Sequence, residues 1–434
     1  MNRAFAYRRV CFETASAMHA GSGESDPVQD MPIQTDVNGL PIIAATSIAG
    51  VLRHLYGEGA EDLFGNQQCG SRLCFSDAAM LDENGAVVVG IRQKELSEYL
   101  EQVKRLRRRD HCPITELGTA RERNKFDRSI LIAGVRFVVE FCISAKDCGR
   151  AKADADRLVG LFLRPDFRLG GGTRNGFGRI RVLRVNGREY DLEDAASRRA
   201  FLARSASLAD DPGEPELPLS ESAEGTVRKI RLKPEDFWLF SDGTGLGDLD
   251  IRPKFEDRVF WSSGKPEIRS VCVIPATSVK GALAHRTAYC YNRKVGRFAD
   301  KMSTEERAAV NPAVAALFGW AKGTKAKDDP GKIGRIIISD MYIENDREKA
   351  FNHVSIDRFT GGALDGALFT EMVQFGGDFC LEIVVEPPAP GETEDPVIRE
   401  AFEKALEDLR SGRLPLGGGV MRGLGGMRGE EVSK

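Results

Sequence analysis

The segment IAATSIAGVL at positions 43–52 recurs as IPATSVKGAL at positions 274–283, and this repetition decides the architecture. Three further motifs follow each copy in the same order: LFG at 63–65 and 317–319, Ser-Asp at 76–77 and 339–340, and a glycine-rich loop at 170–178 and 417–425. Such ordered self-similarity indicates two copies of one structural unit. We therefore expect a first domain at 1–205, a linker rich in Pro, Asp, Glu and Ser at 206–225, and a second domain at 226–434.

Each copy alternates between strand and helix patterns. The β-branched and aromatic runs at 137–143 and 379–385 predict strands, and the one-face spacing of apolar residues predicts helices. The predicted helices lie at 47–56, 151–163, 278–289 and 396–410. Strands, a helix, more strands, a second helix and a final strand predict two tandem α+β domains of the ferredoxin-like, RRM-like kind.

The composition is that of an ordinary globular chain. Of 434 residues, 41% are hydrophobic and 29% charged, which argues against disordered, collagenous and membrane classes. No apolar run is long enough to cross a bilayer, and the first residues lack the order of a signal peptide. Nine scattered cysteines suit a reducing compartment, so we expect a cytoplasmic protein without a membrane partner.

The glycine-rich loops allow two interpretations. Each follows a predicted helix and precedes a strand, the reverse of a dinucleotide-binding fingerprint, and no GxxxxGK[ST] motif exists. Their backbone amides could approach a polyanion, or the glycines could serve only a tight bend between helix and sheet. The residues that would contact the polyanion are Gly172, Arg174, Asn175, Gly419 and Arg422.

Two other features could bind phosphate. Ser47 and Ser278 are candidate helix N-caps whose neighbouring amides could hold an anion, assisted by Arg53 and Lys280; an ordinary cap is the alternative. Basic residues cluster at 104–109, where a solvated face is the simpler explanation. A second basic cluster, interleaved with turn residues and Phe126, is typical of a ligand-facing arm: Arg121, Arg123, Lys125 and Arg128.

A zinc site is a further candidate. A C-x₄-C pair followed by an adjacent His-Cys supplies four nitrogen or sulfur ligands: Cys69, Cys74, His111 and Cys112. The spacing is loose, and neighbouring His and Cys residues seldom bind one ion together. Structural thiols are therefore the alternative.

The order of these motifs resembles the RAMP superfamily, and most closely the backbone subunits of type III CRISPR effector complexes, as a tandem fusion of two units similar to type III-D fusions. The resemblance covers nearly the whole chain. It is carried by the repeated motifs and by the following segments: Asp30–Ile33, Gly39–Pro41, Ile356–Ala363, Gly366–Phe369 and Glu371.

The resemblance implies thumb hairpins at about 110–130 and 352–372, the second including Arg358, which displace nucleotides of a guide–target duplex. It implies crRNA, complementary target RNA and other effector subunits as partners. It also implies Mg²⁺-dependent cleavage of target RNA, assisted by a loop aspartate that matches Asp30. In the second copy the candidates are Asp248, Asp250 and Asp257, of which we choose Asp257 because an apolar strand follows it.

Two alternatives remain open. A catalytically inactive scaffold would hold crRNA without cutting. A guide-processing ribonuclease of the same superfamily would need a histidine-centred acid–base site and no metal.

Overall fold

The chain folds into two compact units, as seen in a computed structural model that describes residues 3–23, 31–92, 95–111, 126–211, 213–219, 226–241, 243, 245–303, 306, 309–322, 328–345, 347–389 and 391–432. The first unit comprises Met1–Thr173, Phe177–Glu224 and Asp257–Arg269. The second comprises Arg174–Gly176, Gly225–Glu256 and Ser270–Lys434. Each unit therefore includes a short segment from the other half of the sequence.

The elements of the first half are, in chain order, β1 Ala4–Thr14, α1 Ala45–Tyr56, α2 Ala60–Phe64, β2 Leu73–Phe75, β3 Ala79–Met80, α3 Glu98–Lys104, β4 Arg107–His111, β5 Phe126–Ile130, β6 Arg136–Ala145, α4 Cys148–Phe162, β7 Ile180–Asp191 and α5 Ala195–Leu202. A 3₁₀ turn at Thr173–Asn175 lies within the first glycine-rich loop.

The elements of the second half are β8 Thr226–Pro234, β9 Phe237–Trp238, β10 Phe255–Ser262, β11 Lys265–Ile274, α6 Ala276–Lys294, α7 Pro312–Leu317, β12 Gly319–Trp320, β13 Lys332–Ile333, β14 Ile336–Ile338, β15 Met341–Ile343, β16 Glu348–Ile356, β17 Ala363–Phe375, β18 Phe379–Val385, α8 Pro396–Arg410 and β19 Met427–Glu431. Two 3₁₀ turns occur at Ala299–Lys301 and Val420–Arg422.

The central sheets of the two units have the same topology. In the first unit the strand order is β2-β6-β1-β7, with β3 also paired to β6. In the second unit it is β14-β18-β8-β19. Within both sheets, the neighbouring strands named here run antiparallel to each other. These sheets with their packed helices confirm the predicted α+β, ferredoxin-like architecture for both copies.

Two helices cover one face of each sheet because their apolar residues share one side. In the first unit α1 buries Ile48 and Leu52, and α4 buries small alanines together with Leu158. In the second unit, Leu283 of α6 and Phe402 of α8 enter the equivalent core. Alternating residues of the central strands supply the other half of both cores.

The segment predicted as a linker is fixed to the first unit over part of its length. Leu217 N–H donates to Val185 O at 2.8 Å, and Gly187 N–H donates to Pro215 O at 3.0 Å. The buried carboxylate of Glu214 accepts a hydrogen bond from Tyr190. These bonds place residues 214–217 alongside β7. Among the described residues, no helix is long and apolar enough to cross a membrane.

Candidate nucleic-acid interface

The two helices of the repeated motif begin two residues before the predicted serine caps. Helix α1 starts at Ala45 and α6 at Ala276, so Ser47 and Ser278 are third helical residues rather than N-caps. The prediction of serine caps was wrong because the acceptor comes from elsewhere. Asp77 Oδ1 accepts from Ala45 N–H at 2.7 Å, and Asp340 Oδ1 accepts from Ala276 N–H at 2.8 Å.

These aspartates give the repeated Ser-Asp motif its structural role. A carboxylate at a helix N-terminus satisfies a free amide and offsets the positive end of the dipole. The same position would otherwise attract a phosphate, so the aspartates compete with the predicted anion site. Ser47 and Ser278 themselves remain exposed.

The basic residues near these helices differ in their availability. Arg53 is exposed in the last turn of α1. Lys280 instead donates from Nζ to Arg174 O at 2.9 Å within the second unit. Burial lowers the pKa of Lys280 to about 8, with a further contribution from the charge of Arg174. The Arg174 guanidinium forms an ion pair with Glu386 at 2.8 Å. Lys280 and Arg174 are thus held by contacts inside the second unit.

The glycine-rich loops are tight bends packed on the chain's own backbone. A Cβ at Gly178, where φ is +80°, would lie 2.1 Å from Leu169 O. At Gly425, also at φ +80°, it would lie 2.0 Å from Leu416 O. Only glycine fits such a left-handed position beside a carbonyl. The bend interpretation therefore accounts for these glycines without a ligand.

Both thumb predictions coincide with antiparallel hairpins. Strands β4 and β5 pair His111 with Phe126, and strands β16 and β17 pair His353 with Phe369. Each histidine ring stacks on its phenylalanine, at centroid distances of 5.0 Å and 4.7 Å. No local sequence pattern reveals this recurring pair, because the two rings lie on different strands of each hairpin. Arg121, Arg123 and Lys125 lie outside the described residues.

The tip of the second hairpin presents an aromatic and a basic side chain to solvent. Phe359 is 99% exposed and Arg358 is exposed beside it. Asp357 fixes the turn by accepting from the amides of Phe359 and Thr360 at 2.7 Å and 3.0 Å. These bonds hold the pKa of Asp357 below its usual value. An exposed ring with an adjacent cation is the arrangement that stacks on a nucleic-acid base.

The base of the first hairpin concentrates positive charge. Arg109 and Arg128 lie directly opposite each other on β4 and β5. Their Cζ atoms lie 4.6 Å and 5.6 Å from the centre of the Phe177 ring. Burial and the charge of Arg109 lower the pKa of Arg128. Within the part of the chain that the structure describes, Arg128 Nε and Nη1 are buried without a hydrogen-bond acceptor.

His19 lies next to this charge in the first unit and is 7% exposed. Its Nδ1 is 2.9 Å from Ser129 O. A carbonyl only accepts, so Nδ1 carries the hydrogen and Nε2 of the neutral ring is an acceptor. Burial lowers the pKa of His19 and the charge of Arg128 lowers it further, against the opposing effect of the Ser129 bond. His19 is therefore a neutral acceptor at pH 7.

In the second unit, other residues stand at the positions equivalent to His19 and Arg128. Gly171 N–H donates to His19 O and Gly418 N–H to Leu239 O, each at 2.7 Å, so Leu239 occupies the place of His19. The bridges Met18–Leu131 and Trp238–Gln374 fix the same correspondence for the hairpins. By this register, Glu371 occupies the place of Arg128.

Glu371 joins the second hairpin to the second glycine-rich loop. It is 1% exposed, and its carboxylate accepts from His353 Nε2 at 2.8 Å and from Arg422. A Cβ at Gly419, where φ is +69°, would lie 2.5 Å from Leu424 Cδ1, so this glycine is required mainly by the packing of Leu424. Arg422, predicted to contact RNA, is held in this internal ion pair.

The candidate aspartates differ in position. Asp30 lies outside the described residues, but its neighbour Met31 accepts from Ser129 N–H at 3.2 Å, beside Arg128 on β5. Asp257 lies in strand β10 within the first unit, not in a loop of the second as predicted. Its Oδ2 forms an ion pair with Arg107 Nη2 at 2.6 Å, and this ion pair gives the carboxylate a structural role.

The other two candidates of the second copy remain on a loop. Asp250 accepts from Thr370 N–H at 2.7 Å and so fixes that loop to β17. Asp248 is exposed.

The predicted zinc ligands are not brought together. Cys69 and Cys74 are exposed free thiols, whereas His111 lies against Phe126 and Phe177. Cys112 is outside the described residues. Over the described ranges, no group of three or more His, Cys, Asp or Glu side chains could hold a metal ion. The described residues by themselves therefore do not form the predicted zinc site.

Comparison with known proteins identifies the family. The RAMP superfamily model matches residues 11–181 and 264–428, one region in each copy. The chain belongs to the RAMP superfamily. The two matched regions agree with a tandem fusion of two RAMP units, as the repeated motifs predict. No curated protein matches the chain significantly.

Among solved structures, the chain is similar to a chain of a type III-B Cmr-beta complex bound to cognate target RNA, at 18% identity and a TM-score of 0.31. The match covers 42% of this RAMP chain and 60% of that chain.

Proposed function

We propose that this RAMP protein is a crRNA-binding backbone subunit of a type III CRISPR effector complex. The observation that carries the proposal is the pair of RAMP units, each with a thumb-like hairpin beside its sheet. The exposed Phe359 and Arg358 at one tip suit stacking on a splayed base. The basic pair Arg109 and Arg128 at the base of the other suits a phosphate.

We further propose that the first unit cleaves target RNA through Asp30. Met31, which follows Asp30 in the sequence, accepts a hydrogen bond from Ser129 on β5, next to Arg128. This contact supports a role for Arg128 in holding the scissile phosphate. The 2′-oxygen attacks the adjacent phosphorus and the bond to the 5′-oxygen breaks. The 2′-hydroxyl proton passes to Asp30, and the leaving 5′-oxygen takes a proton from water. The products are a 2′,3′-cyclic phosphate and a 5′-hydroxyl end.

Mg²⁺ dependence belongs to this proposal. Mg²⁺ commonly binds one or two carboxylates together with substrate phosphates, so Asp30 and the RNA would be its ligands. Among the described residues, no group of three or more His, Cys, Asp or Glu side chains could hold the ion instead.

The second unit is proposed to bind RNA without cutting it. Asp257, which lies in the first unit, is ion-paired to Arg107, and Asp250 is bonded to the Thr370 amide. Two of the three candidate carboxylates from the second sequence copy therefore have structural roles. A scaffold role is thus favoured for this unit, whereas the first keeps the proposed acid.

Cleavage by the assembled complex tests these roles. End-labelled complementary RNA is incubated with complexes carrying wild-type chain, Asp30→Ala or Asp257→Asn, with Mg²⁺ or EDTA. We expect Asp30→Ala to remove one cleavage product and Asp257→Asn to leave all products in place. EDTA should abolish cleavage. Unchanged products with Asp30→Ala would reject the enzyme assignment and leave the scaffold function, and cleavage that persists in EDTA would favour a metal-free ribonuclease.

A further inference from the structure

One corner of the first unit has an acceptor and a cation side by side. This corner, the His19 corner, consists of His19, Arg128 and three glycines that border them: Gly21, Gly171 and Gly172. A Cβ at Gly21 would lie 3.1 Å from His19 Nε2, and one at Gly172 would lie 2.2 Å from Arg128 Nη1. The glycines therefore keep side chains away from both polar groups.

The hydrogen-bonding roles in the corner are fixed by its neighbours. Because Ser129 O takes the Nδ1 hydrogen of His19, only Nε2 remains for a ligand, and it can only accept. Arg128 can only donate, and its Nε and Nη1 have no acceptor among the described residues. A matching ligand must carry a hydrogen-bond donor close to an anionic acceptor.

A ribonucleotide has this combination. Its 2′-hydroxyl is a donor that DNA lacks, and a phosphate lies next to it. We propose that the His19 corner binds one ribonucleotide of the bound RNA, with His19 Nε2 accepting from the 2′-hydroxyl and Arg128 donating to the adjacent phosphate. The inference rests on the proposed RNA-binding function and adds a residue that distinguishes RNA from DNA.

The second unit cannot make the same contact. Leu239 replaces His19 and offers no acceptor, while Glu371 replaces Arg128 with a buried negative charge. His353 and Arg422 use both oxygens of that carboxylate. Recognition of the ribose by this corner is therefore confined to the first unit.

Binding of matched RNA and DNA tests the inference. The full chain is titrated against labelled single-stranded oligouridine and oligodeoxyuridine of equal length, at several salt concentrations. We expect His19→Ala to lower the ratio of RNA to DNA affinity about fivefold, the effect of one lost hydrogen bond. Arg128→Ala should weaken RNA and DNA alike, about tenfold, and reduce the salt slope by about 0.7.

Two further variants keep the test decisive. Gly21→Ala places a methyl group against Nε2 without removing the imidazole, so it should lower the same ratio if His19→Ala fails to fold. Arg150→Ala is the control, because it removes an exposed cation that is paired with Asp62. It should leave the ratio of RNA to DNA affinity unchanged and should not cause the tenfold loss of binding expected for Arg128→Ala.

The outcomes separate the two proposals. A wild-type chain that does not bind RNA contradicts the proposed function and this inference together. If the wild-type chain binds RNA, and the ratio of RNA to DNA affinity is unchanged in both His19→Ala and Gly21→Ala, only the ribose contact is overturned.

Discussion

The Asp340 carboxylate accepts a hydrogen bond from the Ala276 amide at 2.8 Å, and Asp77 makes the same bond to Ala45 at 2.7 Å. In both units the aspartate of the Ser-Asp motif thus fixes the first turn of the repeated helix. The two motifs that define the repeat in the sequence are bonded to each other in the fold.

Replacing Asp340 should destabilise the second unit. Asp340 is 6% exposed, so Asp340→Ala leaves a buried amide without its acceptor and should cost about 1–2 kcal/mol of unfolding free energy. Asp340→Asn keeps an oxygen acceptor and should cost less. Urea unfolding measures both, with Glu58→Ala as an exposed control. Equal stability of Asp340→Ala and the wild type would contradict the capping role.

Lys280 should make stability depend on pH in the alkaline range. Burial lowers its pKa in the folded chain from 10.5 to about 8, so the unfolded chain binds more protons between these values. The free energy of unfolding should therefore rise with pH from about 8 to 10.5. Lys280→Met should reduce the increase in the free energy of unfolding between pH 7.5 and 10 by about 2 kcal/mol. Denaturant unfolding at pH 7.5 and 10 compares the two proteins, and parallel profiles would refute the prediction.

Phe359 should contribute to RNA binding and not to stability. The ring is 99% exposed, so Phe359→Ala leaves the melting temperature unchanged. Loss of one stacked base is worth about 1–3 kcal/mol, and a drop of about tenfold in affinity for single-stranded RNA is expected. Phe359→Trp should retain binding. An affinity insensitive to both changes would show that this tip does not contact the RNA.

Glu371 should stabilise the contact between the second hairpin and its glycine-rich loop. Glu371→Ala removes two hydrogen bonds to partners that stay partly exposed, so it should lower the unfolding free energy by about 1–2 kcal/mol. Glu371→Gln can still accept from His353 and should lose less. The control is Glu430→Ala, which removes an exposed carboxylate on β19 of the same unit. Thermal unfolding in which Glu371→Ala and Glu430→Ala behave alike would rule out the stabilising role of Glu371.

The sequence predicted what local patterns determine and missed what distant contacts determine. The repeat predicted twin α+β units, and the helix at 396–410 was placed to the residue. The first residues of α1 and α6 were predicted wrongly, because the carboxylates that cap them, Asp77 and Asp340, lie 32 and 64 residues further along the chain. Asp257 was misplaced for the same reason, since its partner Arg107 lies 150 residues away.

Residue type alone did not show which basic side chains of the candidate site are free to bind a ligand. Lys280, Arg174 and Arg422 are basic residues in suggestive motifs, but partners inside the second unit hold all three. His19 has no sequence motif, and only the fold brings it to Ser129, 110 residues away.

The affinity of the purified full chain for crRNA, measured over a range of salt concentrations, tests the central claim most directly. Because phosphate contacts release counterions, we expect log affinity to fall linearly with log salt, at a slope of about −0.7 per phosphate neutralised. The same slope should hold for guides of unrelated spacer sequence, because base pairing with the target, and not the protein, recognises the sequence. Absence of crRNA binding at low salt, or binding indifferent to salt, would contradict the claim that these twin RAMP units hold a guide RNA.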